Sequence, residues 1–428
     1  MSIDALEFPA DFWWGTGNSS TQCEGAAPAS DWMAWEQTGQ APTSGSGNGF
    51  AENYASDFNL LAEIGLNHFR LSLEWARLEP AAGQYDRSEI ERYREILRAG
   101  RDMGLNMWVT AHHFTLPHWF TEMGGFGDER MRQNHWVRHI EFLAETFGDL
   151  VFGWKPINEP QAFALCGWLL GIHPPGIVDL SAAAHMLVAT HLANHEAWRV
   201  LKEGPQPVAT IHNLSPVIPI TSSDDDIRAA ELLDELTFGI WINMITDGVL
   251  RIPQIPGVEV PAPIEDNEFI DAFDVIGFSY YNATGVTSAP EMVDTGGVLP
   301  VPYPADHEVG PLGYVPWSGG LEMLLNRLDA ELPTKPLLIS EYGIGTTNDT
   351  VRVRHVEEGL RITSDAITRG VDLRGFFHWT GVDNYEWLYG YDVPFGLFDR
   401  DRNRRPSAGL IAHAKMIRRH RPPATGTR

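Results

Sequence analysis

The chain has 428 residues, 43% of them hydrophobic and 11% aromatic with 15 Trp, so it can bury a large core and is not a disordered protein. Its 31 basic residues face 57 acidic ones, a formal net charge of -26, which makes nucleic acid and anionic membranes poor partners. Only four of the basic residues are lysines: Lys155, Lys202, Lys335 and Lys415. The two cysteines, Cys23 and Cys166, give no secreted-type disulfide framework and read as free thiols. The N-terminus carries Asp4 and Glu7 and no apolar run, so no signal peptide is expected. No stretch is apolar for the length a bilayer demands, and the expected location is the cytoplasm.

From the N-terminus onward, short β-branched or aromatic runs alternate with longer runs of helical period. A strand at 12–17 precedes a helix at 51–64, and a strand at 68–73 precedes a helix at 87–103. The same pairing recurs at 106–110 with 134–147, 152–157 with 180–202, and 208–212 with 224–246. It ends with 274–280 and 319–328, 337–340 and 350–369, and 373–379 and 407–417. No composition shift divides these units. The prediction is an α/β protein, a single closed (β/α)8 TIM barrel over residues 1–420 with a frayed tail at 421–428. A doubly wound open sheet is the alternative, but residues 15–20 lack its Gly-rich phosphate turn. Two long segments, 251–271 and 282–316, break the short-loop rule, and the second follows strand six, on the face where barrels place their chemistry.

Polar residues gather where the strands end. Gln22 and Glu24 follow strand one, and Arg70 and Glu74 close strand two. Then come His112 and His113, Asn158 and Glu159, His212 and Asn213, Tyr280, Tyr281 and Asn282, Glu341, and Trp379. In a barrel such ends converge on one pocket, and carboxylates, amides, imidazoles and indoles together suit a carbohydrate. A lone Glu at a strand end is more often a salt-bridge partner or a helix cap. Two of them beside Arg70, His113 and Asn158 favour catalysis. Trp379 alone reads as core, but the polar run Asp383 to Trp387 beyond it favours a platform for a sugar. His191 and His195 have metal-ligand spacing on a helix but no third ligand, so packing is the better reading. Asp224, Asp225 and Asp226 after Ser223 read as a capped helix start.

In order along the chain, QCEGA at 22–26, FRLSLEW at 69–75, HFTLP at 113–117, NEP at 158–160, ISEYG at 339–343 and WTGVDNYEW at 379–387 resemble the motifs of glycoside hydrolase family 1. These are the β-glucosidase-type retaining enzymes. The resemblance implies Glu159 as acid/base and Glu341 as nucleophile, with Arg70 and Tyr281 keeping Glu341 ionised. It implies Gln22, His113, Asn158, Trp379, Glu386 and Trp387 on the sugar, Asn158 at the 2-hydroxyl and an ionised Glu386 at the hydroxyls on C4 and C6. Tyr314 falls on the leaving-group side. No metal or organic cofactor is implied, and the partner is a small β-glycoside. The sequence departs from the family pattern at Phe114, Thr115, Ser279, Tyr314 and Tyr342. A transglycosylating or phospho-β-glycosidase on the same scaffold, and a dead carbohydrate-binding barrel, are the alternatives.

Overall fold

The computed structural model describes residues 6–270 and 272–416, so the tail expected at 421–428 lies outside the described residues. Eight parallel strands form one sheet: β1 Trp13–Gly17, β2 His68–Ser72, β3 Asn106–His112, β4 Gly153–Ile157, β5 His212–Asn213, β6 Ile276–Tyr280, β7 Leu337–Tyr342 and β8 Leu373–His378. Their order is β4-β3-β2-β1-β8-β7-β6-β5. A parallel bridge from Trp154 to Val208 joins β4 to the chain entering β5, which closes the (β/α)8 barrel. Every residue of β2, β4, β6 and β7 is buried, as parallel strands covered on both faces must be.

The outer ring is α1 Phe50–Glu63, α2 Arg87–Asp102, α3 Val137–Phe147, α4 Leu180–Leu201, α5 Asp224–Asp234, α6 Gly319–Glu331, α7 Asp349–Arg369 and α8 Pro406–Met416. Short polar side chains start several of them. Asp86 accepts from the amides of Ser88 and Glu89, Asp179 from Ala182, and Ser223 from Asp226. The acids at 224–226 occupy the first turn of α5, as expected.

Two expectations are corrected. The strand expected at 208–212 forms a ladder only at His212–Asn213, and Val208 and Ala209 make single parallel bridges to Trp154 and Val275. The amides of Ala209 and Thr210 donate to Trp154 and Val275 on opposite sides. The segment 282–316 is not a plain loop. Ala283–Ser288 and Val298–Tyr303 pair antiparallel, and Val217–Pro219 adds a third strand to this small sheet. The chain then runs on to Tyr314, beside Tyr281.

The barrel interior is filled in layers. Nearest the amino ends, Trp108, Ala209, Val275, Leu338 and Phe377 form a plug, with Trp13 and Phe152 packed against it. Space above it is tight. A Cβ on Gly277 would stand 2.2 Å from the Thr210 carbonyl oxygen and 2.5 Å from the Ser340 hydroxyl. Gly277→Ala should therefore destabilise the fold by about 1–3 kcal/mol, the usual cost of overpacking. Urea denaturation would show a lowered midpoint, and an unchanged one would mean that β5, β6 and β7 are not packed this closely.

Candidate active site

β7 carries one more residue than β6 over their shared ladder. Ile339 and Glu341 stand opposite consecutive residues of β6, Phe278 and Ser279, so Ser340 is a bulge. In a regular strand Ser340 and Glu341 would face opposite ways. Here both face the barrel interior, and Leu338 before them lies in the plug. The Glu341 carboxylate meets Arg70 Nη1 at 2.5 Å and accepts a short hydrogen bond from the Tyr281 hydroxyl. Arg70 is completely buried, and Gly17 makes room for it, since a Cβ there would stand 2.9 Å from Arg70 Nε. The guanidinium also donates to Asn158 Oδ1 at 3.2 Å and lies 5.1 Å from the Trp379 ring centre.

Glu159 ends β4 in the left-handed region, with φ 50°, and Pro160 fixes the first turn of the next helix. Its amide donates to the Ile211 carbonyl, which turns the side chain into the cleft. Asn213 Nδ2 donates to Glu159 Oε2 at 3.1 Å. Burial first, and then the charge of Glu341, push the Glu159 carboxyl up to about 7, with Ser279, Asn213 and Arg70 acting the other way. Loss of water is the larger of the two raising causes. A pair made of one fixed carboxylate and one protonated carboxyl follows from these surroundings.

Glu386 corrects an expectation. Gln22 Nε2 donates to it at 3.2 Å, which brings the ends of β1 and β8 together. Burial and the charges of Glu341 and Glu159 push Glu386 up to about 8, so near neutral pH it carries a proton rather than a charge. Three carboxyls lie close enough in this cleft to feel one another's charge, and they do not all ionise. His113 lies parallel to Trp379 and Trp387, with centroids 5.9 and 6.3 Å away. Burial and Arg70 hold it far below the usual histidine range, so it is neutral. Tyr314 is half-buried, with its ring 6.5 Å from that of Tyr281.

Several other strand-end residues do not join the cleft. Glu24 pairs with Arg92 at 2.8 Å and accepts from Tyr93. Glu74 accepts from Ser20 at 2.7 Å and from Thr115 at 2.9 Å, which accounts for the hydroxyl at position 115. His112 is wedged against Phe126 and Phe163, and His212 stacks on Trp241. Tyr280 donates outward to the Trp317 carbonyl. Tyr342 also faces outward, bonding Ser318 and stacking on His355. His191 and His195 are packed and reach backbone oxygens of Leu187 and Glu268. Asn213 was visible at the end of strand five, but its bond to Glu159 requires the barrel to close. Lys155, treated above only as one of four lysines, lies inside the barrel.

A held anion facing a proton donor is what cleavage of a glycosidic bond requires. Comparison with known proteins places the chain accordingly. It belongs to glycosyl hydrolase family 1, whose model matches residues 5–412, and it is an enzyme of that class. It is 28% identical to β-glucosidase A of Acetivibrio thermocellus, over 92% of this chain and 94% of that one. A solved β-glycosidase from Pyrococcus horikoshii superimposes with a TM-score of 0.85 at 30% identity, covering 96% of each chain. A psychrophilic β-glucosidase from Micrococcus antarcticus superimposes at 0.89 with 25% identity, covering 98% of this chain and all of the other.

The environment of Glu159 sets a pH profile. Its protonated form is needed to expel the leaving group, so kcat/KM should fall as pH rises through about 7. Asn213 stabilises the charged form, so Asn213→Ala should move this alkaline limb upward. A limb that stays in place, or moves down, would contradict the assignment.

Proposed function

We propose that the chain is a retaining, exo-acting β-glycosidase. It would act first on β-glucosides and also on β-galactosides and β-fucosides, by double displacement through a glycosyl ester on Glu341. The observation that carries this reading is the contrast between Glu341, ion-paired to Arg70 at 2.5 Å, and Glu159, held protonated by burial. Retaining hydrolysis uses two carboxyls roughly 5–5.5 Å apart, one to attack the anomeric carbon and one to protonate the departing oxygen. Glu341 attacks while Glu159 gives up its proton. Once Glu341 is esterified its charge is gone, and one of the two causes raising Glu159 goes with it. Glu159 then takes a proton from water, which attacks the anomeric carbon and frees Glu341.

Asn158, fixed by Arg70, would take the sugar 2-hydroxyl, and Trp379, beside the same guanidinium, the ring face. Gln22, His113 and Trp387 complete the glycone pocket, and Tyr314 stands on the aglycone side. A protonated Glu386 both donates and accepts, so it can pair with two sugar hydroxyls at once. Bonds of this kind are worth about 0.5–1.5 kcal/mol each, more when charged. The two cysteines are free thiols, which supports a reducing, cytoplasmic setting. Among the described residues no helix is long and apolar enough to cross a membrane.

Three measurements test this function. Glu341→Gly should abolish hydrolysis with the fold intact, and azide should restore turnover as the α-glycosyl azide. Wild-type activity in that variant would remove Glu341 as nucleophile. Glu159→Ala should lose far more activity on alkyl glycosides than on dinitrophenyl glycosides, whose leaving group needs no proton. Equal losses would remove Glu159 as the donor. Nitrophenyl β-glucoside should be preferred over its 6-phosphate, because the guanidinium in the cleft is already bound to Glu341. The reverse preference would favour the phospho-β-glycosidase alternative.

A further inference from the structure

Lys155 is fully buried inside the barrel, on β4 and nearer the amino ends than Glu159. Its ammonium group lies 4.6 Å from the Phe377 ring centre and 5.2 Å from that of Trp108. Thr110, its register partner on β3, is also completely buried. Among the described residues no carboxylate lies within ion-pair distance of Nζ. The hydrogen bond it makes is to Ser340 Oγ, at 3.1 Å. An apolar side chain would fill the same space without desolvating an amine. The charged and titratable groups around it are Arg70 and His68 on β2 and Glu341 on β7. Burial and Arg70 push the lysine well below its usual range, while Glu341 acts in the opposite sense.

Ser340 is the extra residue of the β7 bulge. The bulge puts Ser340 and Glu341 on the same side of the strand, a device rare in parallel sheets that re-aims a side chain. Gly277 leaves the Ser340 hydroxyl its space, and Lys155 occupies that hydroxyl from across the barrel. We propose that Lys155 is a positioning residue for the nucleophile: by bonding Ser340 it fixes the bulge that aims Glu341 at the anomeric carbon. Lys155 touches no substrate. It acts through Ser340, from the opposite wall of the barrel.

The proposal rests on Glu341 being the nucleophile, which azide rescue of Glu341→Gly tests separately. Lys155→Met keeps the length and removes the bond, and Ser340→Ala removes one oxygen from the other side. Each should lower kcat on nitrophenyl β-glucoside roughly ten- to hundredfold, the scale of a small misplacement of a reacting group, with KM little changed. Ser340→Thr, which keeps the hydroxyl, should lose much less than Ser340→Ala. The double variant Lys155→Met/Ser340→Ala should be no worse than the poorer single one, since the two remove the same bond. Fully additive losses would overturn the route through Ser340. Wild-type kcat in Ser340→Ala would overturn the proposal, and this variant decides alone if Lys155→Met does not fold.

Discussion

Three carboxyls share one dry cleft with a single guanidinium, and the distribution of charge among them governs the rest of the site. Arg70, with no exposed surface, spends its closest contact on Glu341. In surroundings of low effective dielectric, neighbouring carboxylates repel by several kcal/mol even at an effective constant of ~20. Loss of water first, and then these charges, raise Glu159 to about 7 and Glu386 to about 8. One anion and two acids is the state a double displacement starts from. The supporting structure serves that state. Gly17 clears space for the guanidinium, Trp379 covers its face, and Asn158 accepts its second bond.

Much of this was legible in the sequence because the barrel converts order along the chain into convergence in space. Strand after strand ended in a polar residue, and a closed parallel sheet points those ends at one mouth. The motifs at 158–160 and 339–343 carried the two carboxyls, and FRLSLEW carried Arg70. What the sequence did not separate was the cleft from its scaffold. Glu24 and Glu74 stand at strand ends as Glu159 and Glu341 do, yet they bond the helices and loops around the barrel. Residue type and position are the same for both groups, and only the direction of the side chain distinguishes them.

Parity explains most of the remaining gaps. In a regular strand, alternate residues share a face, so Tyr342 could be read as a neighbour of the cleft and Ser340 as its partner. The bulge shifts that count by one residue, and Tyr342 turns outward to Ser318 and His355. Lys155 was hidden for a different reason. It reaches Ser340 across the interior only once the barrel closes, and a lone lysine in a sequence reads as a solvated surface residue. Glu386 was misread because its charge depends on Glu159 and Glu341, which are distant in the chain.

The central claim is that Glu341 and Glu159 carry out two successive inversions at one carbon. The most direct measurement is proton NMR of the sugar as it is first released from a β-glucoside, before mutarotation. Double displacement predicts that the β-anomer forms first. Initial release of the α-anomer would mean a single displacement by water, and Glu341 would then be a base rather than a nucleophile.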